Sequence, residues 1–278
     1  MPFKFRLIIL LAFIACNTAH AKPQKIKPET KKNPAKVSWE KLTNDLEFGR
    51  YNPIADAIFS QEIVFFRTPL KKSAAPLVLS EKKFSSQTVK EFCKSSGAAI
   101  CINANFFDEK KKPLGLVIKD GVELNPLHKG GSLLNGVIAL QDDKLKIFHR
   151  KDFVSHDAPL AVQSGPILLM GGKKYSNFKA GDLESRRAGA CIDTQGRLVL
   201  FCSAGEVTGP SLNELVSILL MPGVSCRDAI NFDGGGSAQI YVDEKFVNIQ
   251  KLKADTGLSN FIAGQESIPV SFALNIQN

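Results

Sequence analysis

The sequence predicts an α+β fold: a single domain, residues 37–278, of mostly antiparallel sheet with a few packed helices. Three observations lead there. Short runs of β-branched and aromatic residues recur along the chain, each bounded by turn-forming residues. In the middle of the chain these runs alternate with turns, the pattern of strands that pair antiparallel. Two stretches combine a capping box with an apolar face at helical spacing. With 44% hydrophobic and 23% charged residues over 278 positions, the balance is globular and the length is enough for a sizeable core.

Residues 1–21 stand apart. Lys4 and Arg6 precede the apolar run Leu7–Ala15, and Ala19-His20-Ala21 offers the small residues that a signal peptidase reads. That run is too short to span a bilayer, so a signal peptide cleaved after Ala21 is expected, with a periplasmic or secreted product. Phe13-Ile14-Ala15-Cys16 is the poorer alternative, a lipoprotein site lacking the usual first Leu. Residues 22–36, with six lysines, one Glu and no aromatic residue, read as a basic disordered tether capable of weak contact with an anionic surface. Of the formal charge of +9, Lys4 and Arg6 supply two and the tether five, leaving about +2 on the domain. The high pI is therefore no argument for nucleic acid.

Five cysteines follow the cleavage site: Cys93, Cys101, Cys191, Cys202 and Cys226. An odd number leaves at least one thiol unpaired. Cys101 and Cys191 lie inside apolar runs and read as buried free thiols. Neither the cysteines nor His128, His149 and His156 have metal-ligand spacing, so neither metal nor cofactor is expected.

Taken in order, Ile63–Phe66 and Leu77–Leu79 read as strands, within a stretch from 37 to 97 that carries no motif. Thr88-Val-Lys-Glu91 opens a helix with Val89, Phe92 and Cys93 on one face, and Gly97 ends it. A buried strand from Ala98 then empties into Asn103, Asn105 and Asp108, either to present ligands or to bond its own turn. Leu114–Ile118, Gly136–Leu140 and Leu145–Phe148 are further strands, the last two joined at Asp142-Asp143. Ser164-Gly165-Pro166 bends the chain, and no Gly-x-Ser-x-Gly surrounds Ser164 to mark a nucleophile.

Ala188–Asp193 and Arg197–Cys202 form a hairpin with Arg187 at its start and Asp193 at its tip. Arg187 is a bidentate phosphate clamp if it faces a pocket, and a surface charge otherwise. Ser211-Leu-Asn-Glu214 opens a second helix, with Leu212, Leu215, Val216 and Leu219 on one face and Pro222-Gly223 at its end. That leaves Glu214 as a cap or as a catalytic carboxylate. Residues 251–267 read as a polar loop and Ile268–Leu274 as a closing strand. Between them and the second helix, Asn231-Phe-Asp233-Gly234-Gly235-Gly236-Ser237 places an amide, a carboxylate, three glycines and a hydroxyl between two apolar runs. It is a bare hairpin turn or a site for an anionic ligand.

Four motifs, in order, resemble the phosphodiester glycosidase family: Asn103-Ala-Asn-Phe-Phe107 with Pro113-Leu-Gly115, Ser164-Gly165 before an apolar strand, Arg187–Asp193 with the capped helix, and Ala229–Ser237. Ala104 and Asn105 replace family glycines, Ala188 replaces a Thr, and Ala204 stands where the family keeps an Asp. The resemblance implies hydrolysis of a sugar-1-phosphodiester, in an envelope or extracellular glycopolymer. Carboxylates would stabilise the sugar centre and activate water: Asp233, with Asp193 or Glu214. Arg187, Ser237 and the amides of Gly234, Gly235 and Gly236 would hold the phosphate, with Asn103, Asn105, Ser164, Gly165 and Asn231 completing the substrate site. A non-catalytic carbohydrate-binding domain and, below it, a metal-dependent phosphoesterase are the alternatives.

Overall fold

The computed structural model describes residues 37–52, 62–70, 74–80, 86–154, 157–178, 182–205, 208–246, 261–262, 264 and 266–276; the expected signal peptide and tether lie outside them. In these residues all strand pairs are antiparallel.

They form three sheets. The first runs β1 (Ser38–Lys41), β2 (Glu47–Tyr51), β3 (Ile63–Thr68), β14 (Leu198–Ser203), β13 (Ala188–Asp193), β15 (Cys226–Asn231), β11 (Ile167–Met170), β12 (Lys173–Lys174). The second runs β7 (Val122–Asn125), β6 (Val117–Lys119), β10 (Leu160–Ser164), β8 (Gly136–Gln141), β9 (Lys144–His149). The third runs β17 (Phe261–Ile262), β16 (Ile240–Val242), β5 (Ile100–Asn103), β18 (Ser271–Ile276), β4 (Ala74–Leu79). Two helices, α1 (Val89–Ser96) and α2 (Leu212–Leu220), pack on the outside.

The first sheet is covered on both faces, which explains why its strands read as continuous apolar runs. Phe66, Leu200 and Ile230 pack toward the other two sheets, against Ile102, Ile138, Val162, Ile240 and Phe272. Their strand neighbours Phe65, Val199 and Ala229 point the other way, toward Leu215 and Leu219 of α2. Both helices start at the predicted capping boxes, closed by Thr88 with Glu91 and by Ser211 with Glu214. Gly97, at φ +72°, ends α1 in the left-handed conformation. On α2 the buried face includes Ile218, whereas Leu212 is only partly covered.

Some expectations are corrected. The strand expected from Leu114 starts at Val117. The polar loop expected over 251–267 contains β17, which extends the third sheet beyond β16. Ile268 makes an isolated bridge to Gln87, and the closing strand starts at Ser271. β1, β2, β7 and β12, polar or short, were not anticipated.

Cys101 and Cys191 are not free. Disulfides join Cys93 on α1 to Cys101 on β5, and Cys191 on β13 to Cys226 on β15, with Cα separations of 5.6 and 5.9 Å. An apolar run reveals burial, but the partner is set by register between elements. Cys202 is the unpaired thiol among the described cysteines; burial pushes its pKa up to about 12 despite nearby Arg186, so it stays an unreactive thiol.

Candidate functional site

Two strand ends meet where β15 leaves the first sheet and β5 leaves the third. The Asp233 amide donates to Ala104 O at 3.0 Å. Asn103 Nδ2 donates to Asp233 O at 2.6 Å, and Asn103 Oδ1 accepts from Gln239 N at 3.0 Å. Asn103 thus clamps both ends of the glycine turn, and both halves of its buried amide are spent. The structure makes it a positioning residue, not the substrate ligand expected from the sequence.

The glycines also have a different task from the phosphate cradle expected of them. A Cβ on Gly234 would lie 2.6 Å from Arg186 O, and Gly235 has φ +54°. Gly235 N donates to Arg186 O at 2.9 Å, while the Arg186 guanidinium donates to Ala238 O at 2.8 Å. The turn is therefore wound around buried Arg186. Gly234 N is also committed, donating to the Asp233 carboxylate. Gly236 presents its carbonyl to Glu266 N at 3.3 Å.

What the turn presents is the carboxylate of half-buried Asp233. Burial pushes its pKa up to about 6, outweighing the hydrogen bonds from the Ser237 hydroxyl and Gly234 N; Glu266 adds to the rise and Lys111 opposes it. A carboxyl group poised near neutrality in a water-accessible turn is suited to proton transfer.

Three buried oxygens flank the same strand ends. Asn105 Nδ2 donates to Leu116 O and Gln163 O at 3.1 and 2.9 Å, and Asn231 Nδ2 to Gly165 O and Phe232 O at 3.1 and 2.5 Å. With both amides fixed in that sense, Asn105 Oδ1 and Asn231 Oδ1 have no protein donor, and Ser164 Oγ no partner, among the described residues. Unmade hydrogen bonds at such atoms cost about 1–3 kcal/mol each, so this is unspent polar capacity beside Asp233. Gly165 precedes a cis Pro166, and a Cβ on it would lie 2.1 Å from Leu133 O. Close packing therefore accounts for this glycine.

The remaining sequence candidates lie elsewhere. β13 and β15 pair Gly189 with Asn231 and Asp193 with Cys226. Asp193 therefore sits about 13 Å along the sheet from Asn231, four residues of β13 at about 3.3 Å each. There it accepts from Gln195 N and Arg197 N at 2.9 Å and pairs with Arg197 Nε at 2.7 Å: a turn-closing aspartate, not a second catalytic one. Arg187 Nε donates to Pro210 O at 3.0 Å and Nη2 to Leu183 O at 2.7 Å, with Asp182 Oδ1 at 3.5 Å. Desolvation lowers its pKa. Its guanidinium holds two loops together rather than reaching toward the turn as a phosphate clamp.

Glu214 accepts from Ser211 N and Oγ at 2.9 and 2.8 Å, on the helix covering the opposite face of the first sheet. It is the cap. Glu214→Gln preserves a capping-box acceptor and is expected to keep turnover within about twofold and stability within about 0.5 kcal/mol. Sugar-release assays and thermal melts check this; a hundredfold loss of turnover would return Glu214 to the catalytic set.

Two charged residues beside Asp233 were missed. Lys111 lies in a run of three lysines, and Glu266 in the polar loop expected over 251–267, and neither carries a motif. Both become visible only when the chain brings their loops onto the glycine turn.

With that geometry in place, comparison with known proteins is informative. A family model described as phosphodiester glycosidase matches residues 96–271. The catalytic domain of zebrafish N-acetylglucosamine-1-phosphodiester alpha-N-acetylglucosaminidase is similar in fold, with a TM-score of 0.59 at 18% identity over 88% of this chain and 89% of that one. A hypothetical protein from Synechocystis gives 0.58 at 13% identity, covering 89% of this chain but only 64% of its own. A putative exported protein from Burkholderia pseudomallei gives 0.55 at 10% identity, covering 80% and 75%. At these identities the structural likeness carries the fold alone. No curated protein sequence matches the chain.

Proposed function

The chain belongs to the phosphodiester glycosidase family, and on that footing we propose that it hydrolyses the glycosidic bond of a sugar-1-phosphodiester. The observation that carries the proposal is the Asp233 carboxylate, held on the glycine turn with a pKa of about 6. In the proposed step, water adds its oxygen to the anomeric carbon and gives a proton to Asp233. The anomeric C–O bond breaks and its electron pair leaves on the phosphate oxygen, giving free sugar and a phosphate monoester. That leaving group is stable as an anion, so a base matters more than a strong general acid. Lys111, the cation whose charge acts on Asp233, is placed to attract the phosphate.

The N-terminal charge and apolar pattern supports export, which makes an envelope or extracellular glycopolymer the substrate source proposed here. The test is a panel of sugar-1-phosphodiesters incubated with purified residues 22–278. Release of sugar and phosphate monoester in equal amounts is expected; saturable binding without release would make the domain a carbohydrate-binding module.

A further inference from the structure

We infer that Glu266 is the second carboxylate of this site, facing the cation-like sugar centre while Asp233 handles the proton; the inference rests on the hydrolase reading above. Its backbone is fixed against the glycine turn at both polar groups. Glu266 N donates to Gly236 O at 3.3 Å, and Gln239 Nε2 donates to Glu266 O at 2.6 Å. The Gln239 side chain is fully buried and accepts from Val89 N through Oε1 at 3.2 Å, so helix α1 locks the contact from below. Two residues earlier, a Cβ on Gly264 would lie 2.5 Å from Gly236 O and 2.4 Å from Gln239 Cγ, so the chain leading into Glu266 packs directly on the turn. Beyond it, Ile268 and Gln87 exchange both backbone hydrogen bonds at 2.8 and 3.1 Å.

The side chain stays open to solvent and has a cationic partner. Glu266 is 47% exposed at its side chain and pairs through Oε2 with Lys111 Nζ at 3.3 Å. Lys111 Nζ also donates to Ser267 O at 3.1 Å and lies 4.4 Å from the centre of the Phe107 ring. Lys111 itself adopts φ +62°, in a turn closed by Asp108 Oδ1, which accepts from Lys110 N and Lys112 N at 2.9 and 2.8 Å. An exposed pair of this kind contributes little stability, and left-handed backbone at a lysine costs energy. The arrangement gains its meaning from Asp233, on which both charges act.

The site then has two carboxylates with different environments: one desolvated on the glycine turn, one exposed to solvent and paired with a lysine. That division assigns proton transfer to Asp233 and electrostatic stabilisation of the sugar centre to Glu266. Lys111 and Glu266 are the charged side chains that act on Asp233, and Arg186 lies beneath the turn, bonded to Ala238 O.

The test compares Glu266→Gln with wild type, residues 22–278 in both. With wild-type turnover in hand, Glu266→Gln should lower kcat about a hundredfold with KM within about threefold, and an unchanged kcat would overturn the inference while leaving the hydrolase reading intact. Independently of any substrate, a carboxyl-carbon NMR titration of Asp233 should show its midpoint fall in Glu266→Gln, because a like charge has been removed. An unmoved midpoint would show that the two carboxylates do not share a site. If wild type releases sugar from none of the panel, the hydrolase reading fails by itself, and the titration still decides whether the two groups are neighbours.

Discussion

Asp233→Asn should abolish sugar release, by at least a hundredfold, while leaving a folded protein that is more stable than wild type above pH 6. The loss follows from removing the group that accepts the proton of water, a contribution of about 10² to 10⁴ in rate. The gain in stability follows from the sign of the pKa shift. Asp233 sits at about 6 in the folded chain against an ordinary 3.8, so the folded state holds the proton more tightly than the unfolded state. Its contribution to stability is complete below about pH 4 and lost as pH rises through about 6. Above that, wild type carries a charged, desolvated carboxylate at a cost on the order of 2–3 kcal/mol. Asn, neutral at every pH, escapes it. Urea denaturation at pH 7.5 and pH 4 should therefore show a gain that is present at the first and absent at the second. Wild-type turnover should rise through pH 6 as the base loses its proton. A variant that keeps a tenth or more of wild-type turnover would remove Asp233 from the chemistry.

The second large effect concerns the scaffold. Replacing Cys191 and Cys226 together by Ala is expected to lower the stability of the non-reduced protein by about 4 kcal/mol, because the cross-link closes a loop of 35 residues in the unfolded chain. Replacing Cys93 and Cys101, only 8 apart, should cost less, about 2.5 kcal/mol. The larger cross-link ties β13 to the strand that delivers Asn231 and Asp233, so its loss should also lower the temperature at which activity is lost. Denaturation curves of the two double variants, run without reductant, test the ranking. Equal losses, or a Cys191/Cys226 loss under 1 kcal/mol, would contradict it.

The parts of the fold legible in the sequence are those set by local chemistry. Thr88 with Glu91 and Ser211 with Glu214 mark the helix starts because a capping box needs only residues three apart. The runs at Ile63, Gly136, Arg197 and Cys226 become strands because both faces of these strands are covered, and burial selects apolar residues. β1 is hard to read because an edge strand carries Glu and Lys, and β2, though paired on both sides, because Glu47 and Arg50 interrupt its apolar residues. Asp233 and its glycines were readable as a unit of unusual composition.

The remainder of the site depends on contacts distant in sequence. Arg187 and Arg186 are adjacent, yet one reaches Pro210 O and the other Ala238 O, and which side of a strand start each takes is a matter of register. Asp193 shares a strand pair with the site but lies at its far end. The Glu266 backbone bonds to the glycine turn at Gly236 while Ile268, two residues on, is pinned to Gln87, and no local pattern records either contact.

In the proposed reaction the bond that breaks is the one between the sugar's anomeric carbon and oxygen. This is tested most directly by running turnover of a sugar-1-phosphodiester in ¹⁸O-labelled water. The label is expected in the released sugar, with none in the phosphate monoester. Label in the phosphate would mean attack at phosphorus and would contradict this cleavage.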